Sequence, residues 1–284
     1  MTLAITMQDT GLGTTYERWS LNRLLDSLCS RLAIGSALEG PDDGITGISG
    51  INSLILARRQ IRVTVCLYDV ERIALARRVW EAQGCDRLVT FVELSAPRLP
   101  AEPNSYDLVW NFNVMPRVPH PGRLLDEMIA ASRRYVLLFV PNRANYSFWL
   151  HRLHHRVADE AWDHGPVNLL AAEPWAEMLR QRGLIVRQKL LVDVCWWPDI
   201  IDPARMLADM VPALARRVRM PSSEKRYRWG YDDLPYYDAR AYSAVHRRME
   251  RLAFIERLPW DGLRRRFAHH VGVLAEKTNG SRRI

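Results

Sequence analysis

From residue 36 to residue 141, short apolar runs alternate with helical stretches, and that alternation narrows the folds open to the chain. "SALE" (36–39), "IRVTVCLY" (61–68), "RLVTFVEL" (87–94), "YDLVWNFN" (106–113) and "RYVLLFVP" (134–141) read as strands. The four longer runs are rich in β-branched, aliphatic or aromatic residues. Between them, "INSLILARR" (51–59), "VERIALARRVWEAQG" (70–84, closing on Gly84) and "GRLLDEMIAASR" (122–133) carry helical spacing. Short apolar strands joined by helices belong in a parallel sheet covered on both faces. The expected fold class is therefore α/β, doubly wound and mostly parallel.

The flanking segments extend this plan. "TYERWSLNRLLDSLCSRLAI" (15–34) predicts one or two leading helices, and "EPWAEMLRQRG" (173–183) another helix. "LIVRQKLLVDV" (184–194) and "HHVGVLAEK" (269–277) are further strands, which makes a seven-stranded sheet. The stretch between those two strands, with its aromatic "SSEKRYRWGYDDLPYYD", reads as an insertion before the last strand. The organisation expected is an N-terminal helical segment at 1–35, a sheet domain at 36–199 and 263–284, and a cap at 200–262. No Pro/Ser/Gly-rich linker or internal repeat divides the chain.

Composition narrows the functional classes. At 284 residues, 48% hydrophobic and 25% charged, the chain has an ordinary globular make-up. No apolar run approaches the roughly 18–20 residues that span a bilayer. "MTLAITMQDTGLG" lacks the pattern of a secretory leader. The four cysteines form no CxxC pair, so neither disulfides nor a zinc knuckle is expected, and the chemistry suits a cytoplasmic location. The net charge of +8 is almost all arginine, with only Lys189, Lys225 and Lys277 as lysines. That charge is spread along the chain and does not interleave with aromatics, so nucleic acid is possible as a partner but not favoured.

The stretch "LEGPDDGITGISGINSLIL" (38–56) sets Gly44, Gly47 and Gly50 three apart, behind Glu39 and ahead of a helix. Glycines let backbone approach a ligand closely and turn with positive φ, and a helix start offers unpaired N–H groups. Together with the order of elements around it, this stretch resembles the class I S-adenosylmethionine-dependent methyltransferases, over about residues 15–195 and again at 269–277. "VTVCLYDVERIALAR" is similar to the second strand and helix of that family, "YDLVWNFNVMPRVPHPGRLLDEM" to the fourth strand and its loop, and "RYVLLFVPN" to the fifth strand.

The resemblance implies S-adenosylmethionine as cofactor. Glu39 then stands as the acid ending the first strand, and Gly40, Gly44, Gly47, Gly50 and Asn52 as the loop around the methionine end. The chain departs from the family pattern at three points. The loop is about five residues longer than ExGxGxG. The ribose-binding acid falls at Leu67, so Asp69, on the same side of the strand, takes that role. The acid near the adenine falls at Leu94 or Ser95, beside Glu93.

At the end of the fourth strand, Asn111 and Asn113 face the crevice where doubly wound sheets bind ligands, unless they simply open a turn. Arg117 stands where the family often has a histidine. In "HRLHH", His151 shares a helix face with His154 or His155 at a metal-ligand spacing, with His164 and Asp163 nearby. The reading adopted is no metal, with these residues packing against Trp149 and Trp162. His164 is the candidate general base toward an acceptor.

The expected function is methyl transfer from S-adenosylmethionine to a small or medium-sized acceptor. The alternative is a non-catalytic methyltransferase-fold protein that serves as a binding or assembly subunit. A nicotinamide-dependent enzyme is disfavoured because GxGxxG is absent.

Overall fold

The computed structural model describes residues 8–42, 47–96, 98–157, 159, 161–197 and 227–278. Its main sheet consists of β2 (Ser36–Asp42), β3 (Arg62–Leu67), β4 (Val89–Glu93), β5 (Tyr106–Phe112), β6 (Ser132–Pro141), β7 (Leu184–Val194) and β9 (Ala268–Lys277). The strands lie in the order β4-β3-β2-β5-β6-β9-β7. Six strands run in one direction, while β9 alone runs antiparallel to both its neighbours, with Leu138 opposite Val273 and Leu190 opposite Gly272. The last strand of the chain thus slots between the two before it. A separate two-stranded ribbon pairs β1 (Asp9–Thr10) with β8 (Arg228–Trp229).

The central strands β2, β5 and β6 are largely buried on both faces, and their side chains alternate between two cores. Tyr135, Leu137 and Phe139 of β6 enter one core, and Val136, Leu138 and Val140 the other. The first core is closed by α1 (Gly11–Arg31), α2 (Leu54–Arg58) and α3 (Val70–Ala82), through residues such as Leu25, Leu56 and Trp80. The second is closed by α4 (Pro121–Ala131) and α6 (Ala172–Gln181), through Leu125, Met128 and Trp175. Helix α5 (Phe148–Val157) follows β6, and α7 (Ser243–Leu252) and α8 (Asp261–Phe267) precede β9.

The leading segment is a single helix of 21 residues, one of the two options read from sequence, and it starts earlier, at Gly11. One later helix differs from the sequence reading. The helix expected at 51–59 shrinks to the five residues of α2. Its first residues are diverted: Ser53 gives its backbone N–H to Glu39 at 3.0 Å and its hydroxyl accepts from the Trp110 indole at 2.9 Å.

Candidate functional site

The strands β2, β3, β5 and β6 all end on one rim of the sheet, where α/β folds bind ligands. Gly44 and residues 200–226 of the expected cap lie outside the described residues.

Glu39 closes the regular part of β2 and is buried. One carboxylate oxygen accepts from Asn52 Nδ2 at 3.1 Å and the other from Ser53 N. Burial first, then the charge of Asp42, pushes this carboxyl up to about 7, against the hydrogen bonds from Ser53 and Asn52. Asn52 Oδ1 accepts from Arg18 of α1, so the loop is tied inward at both ends of that amide. Gly40 packs against β3, where a Cβ would fall 2.6 Å from Cys66 Cβ.

The glycine bend closes on the chain itself. Gly47 and Gly50 both have positive φ, 72° and 71°. A Cβ on Gly47 would lie 2.0 Å from Asp9 Oδ1, and one on Gly50 3.0 Å from Leu67 and 3.1 Å from Ala76. Asp9 accepts from Ile48 N at 2.7 Å, from Arg18 Nε at 3.2 Å and from the Tyr236 hydroxyl at 2.9 Å. Arg18 also donates to the Ile48 carbonyl at 2.6 Å, and Tyr237 donates to that of Ile51 at 2.5 Å. Burial alone would lower the Arg18 pKa, but Asp9, Tyr237, Tyr236 and Glu17 together outweigh it and raise the pKa above its ordinary value. The sequence reading missed Asp9, Arg18 and the tyrosine pair, because the contacts join separate segments, up to 227 positions apart for Asp9 and Tyr236.

Asp69 caps α3, accepting from Arg72 N at 2.7 Å and pairing with Arg72 Nε at 2.6 Å. Asn111 is buried and occupied: Nδ2 donates to the Pro41 carbonyl at 2.7 Å, and Oδ1 accepts from Val114 N and Met115 N. Asn113 is different. It has φ 63°, and its buried Oδ1 has no hydrogen-bond partner.

Asn113 lines a cavity of about 140 Å³ beyond the ends of β5 and β6, with His164 on its wall and Glu17 and His270 deeper in. His270 packs on Phe112, ring centroids 4.9 Å apart, and its Nδ1 stands 3.6 Å from Glu17 Oε2. The neighbouring His269 is fixed by Asp193 at 2.7 Å. Asn142 and Asn145 pin the loop after β6 to the start of β9 through the Ala268 carbonyl, at 2.8 and 3.0 Å. A signal for the cavity floor was present in the sequence: two adjacent histidines open an otherwise apolar strand.

Residues 45–135 match the family described as "Methyltransferase domain". That stretch, about a third of the chain, is similar to a methyltransferase domain. Among solved structures, the chain is similar to a putative sarcosine dimethylglycine methyltransferase from Galdieria sulphuraria, at 13% identity and TM-score 0.50, covering 90% of this chain and 84% of that one. It is similar to a possible histamine N-methyltransferase from Thermotoga maritima, at 10% identity and TM-score 0.51, covering 94% and 92%. It also resembles a Haloferax volcanii structure, a complex between the Trm112 methyltransferase activator and a putative methyltransferase, at 16% identity and TM-score 0.51, covering 92% and 89%. At these identities the likeness establishes the fold. No curated protein matches the sequence. No described helix is long and apolar enough to cross a membrane.

The fold implies S-adenosylmethionine, and its fit can be tested on the residues present. The unpartnered Asn113 Oδ1 offers an acceptor at the strand ends. The glycine bend does not fit as arranged, because Asp9, Leu67 and Ala76 cover its bare sides while Glu39, Asn52 and Asn111 are already engaged in hydrogen bonds within the chain.

Proposed function

We propose that the chain acts as a methyltransferase on a small acceptor bound in the Asn113–His164–His270 cavity, with S-adenosylmethionine as methyl donor. The observation that carries the reading is the position of the cavity, at the strand ends of a methyltransferase sheet and against a buried amide oxygen that no other group occupies. Its size favours a small acceptor: about 140 Å³ is less than the roughly 300–1,000 Å³ of sites that take drug-sized ligands.

The residues of the cavity would bind and orient the acceptor. Asn113 Oδ1 accepts a hydrogen bond from it. His270, backed by Glu17, is placed to take a proton from an acceptor that must lose one. The base role first expected of His164 passes in this reading to His270, because the His164 ring is packed among Trp162, His151 and His155. Holding acceptor and donor in line supplies most of the acceleration in such a displacement. The cofactor roles expected of Gly47, Gly50, Asn52 and Asp69 require the bend to part from Asp9.

One observation favours a second reading, a methyltransferase-fold binding or assembly subunit: the bend is filled by Asp9 in the manner of a permanent contact. Calorimetric titration with S-adenosylmethionine and S-adenosylhomocysteine separates the two. Saturable binding of both supports the enzyme. Absence of binding by either, in protein with a cooperative unfolding transition, supports the subunit.

A further inference from the structure

We propose that His151, His155 and His164 form a binding site for a borderline divalent transition metal such as Zn2+. The proposal is independent of whether the domain transfers methyl groups. Helix α5 places His151 and His155 one turn apart on one face, with their Nε2 atoms 3.1 Å from each other. Two imidazole nitrogens bound to one tetrahedral zinc at about 2.0–2.1 Å stand roughly 3.3 Å apart, so the pair is already at the spacing that a metal imposes. His164 arrives from the loop after α5, and one ligand atom from each of the three rings lies within 4.8 Å of the others.

The third ligand is seated by contacts of its own. Trp162 packs against all three rings, at centroid distances of 6.1, 5.4 and 4.8 Å, and its indole N–H donates to the Gly165 carbonyl at 2.7 Å. Gly165 has φ 83° and sits so close to Pro116 that a Cβ would fall 2.1 Å from that carbonyl oxygen. The loop is therefore fixed to the sheet domain without help from the histidines. Meanwhile His155 Nδ1 is buried without a hydrogen-bond partner, in a ring orientation that turns Nε2 toward His151.

The donor set decides the metal class. Three imidazole nitrogens suit Zn2+, Co2+ or Ni2+ and not the oxygen-seeking Mg2+ or Ca2+. The Asp163 carboxylate, 3.5 Å from His164 Nε2, adds negative charge beside the cluster and offsets the Arg152 guanidinium over Trp162. All three histidines are half-buried, which leaves a path for the ion. His151 and His164 also line the cavity, so the remaining coordination positions would go to water or to a molecule bound there. The competing account of the 3.1 Å contact is a hydrogen bond between two neutral imidazoles.

Untagged protein, stripped with a chelator, is titrated with Co2+ and followed by visible absorption, then challenged with Zn2+. The proposal expects one equivalent of Co2+ with an intense tetrahedral band that Zn2+ abolishes. It expects affinity to fall by at least about tenfold in each of His151→Ala, His155→Ala and His164→Ala, as for loss of a ligand. His154→Ala should bind as the wild type does, and far-ultraviolet circular dichroism should be the same in all four variants. Failure of the wild type to take up either ion overturns the proposal. So does a band that persists in the His151→Ala/His155→Ala double variant, or an equal loss in His154→Ala.

Discussion

The residue with most at stake is Arg18, a fully buried guanidinium on the face of α1 that closes the core. Its countercharge is Asp9, equally buried, at 3.2 Å. Asp9→Ala would leave that charge unpaired in the interior, at a cost of about 3–5 kcal/mol in denaturant unfolding. A loss below about 1 kcal/mol, the scale of an exposed pair, would contradict the burial described here. Glu39 gives a pH signature. Its carboxyl is raised from the ordinary 4.5 to about 7 in the folded chain, so its contribution to stability is complete below 4.5 and disappears as pH climbs through about 7. The unfolding midpoint should fall over that range in the wild type, and Glu39→Gln should flatten the fall. An unchanged pH profile in the variant would remove Glu39 as the cause. Neither residue's role was legible in the sequence. Glu39 was read as the strand end, whereas β2 runs on to Asp42 past an irregularity; "YERW" shows an ordinary helical charge pattern, and only the folded arrangement brings Asp9, Tyr236 and Tyr237 to Arg18.

At the scale of elements, the glycine bend links β2 to α2. Gly50 needs both its positive φ and its missing side chain, since Leu67 and Ala76 press on it. Gly50→Val should destabilise by about 2–4 kcal/mol, left-handed strain and overpacking combined. Gly47 is coupled to Asp9, because an added Cβ would collide with the carboxylate. Gly47→Ala and Asp9→Ala should therefore be non-additive by about 0.5–3 kcal/mol in a double-mutant cycle. Additive losses would mean that the bend does not rest on Asp9. The long elements were readable in advance because their patterns are self-contained: β6 is apolar throughout from Tyr135 to Pro141, and α3 opens on a capping aspartate. The short helix α2 was overextended, because its first residues are claimed by Glu39 and Trp110, neighbours in space that periodicity does not reveal.

For the whole molecule, the decisive feature is β9, the last strand, inserted antiparallel between β6 and β7. Seven apolar segments in the sequence announced the sheet. The cavity was less visible, because its lining comes from α1, β9 and Asn113 just after β5, with Glu17 and His270 some 250 positions apart. The ribbon of β1 and β8 then brings Asp9 and the segment before α7 against the glycine bend. The central claim is a methyltransferase whose donor enters beside a bend that Asp9 now fills. A crystal structure at saturating S-adenosylhomocysteine tests it most directly. The account predicts the ligand between residues 47–50 and Asn113, with the Asp9 contacts to the bend broken. A bend still closed on Asp9, with no ligand at the strand ends, would contradict it.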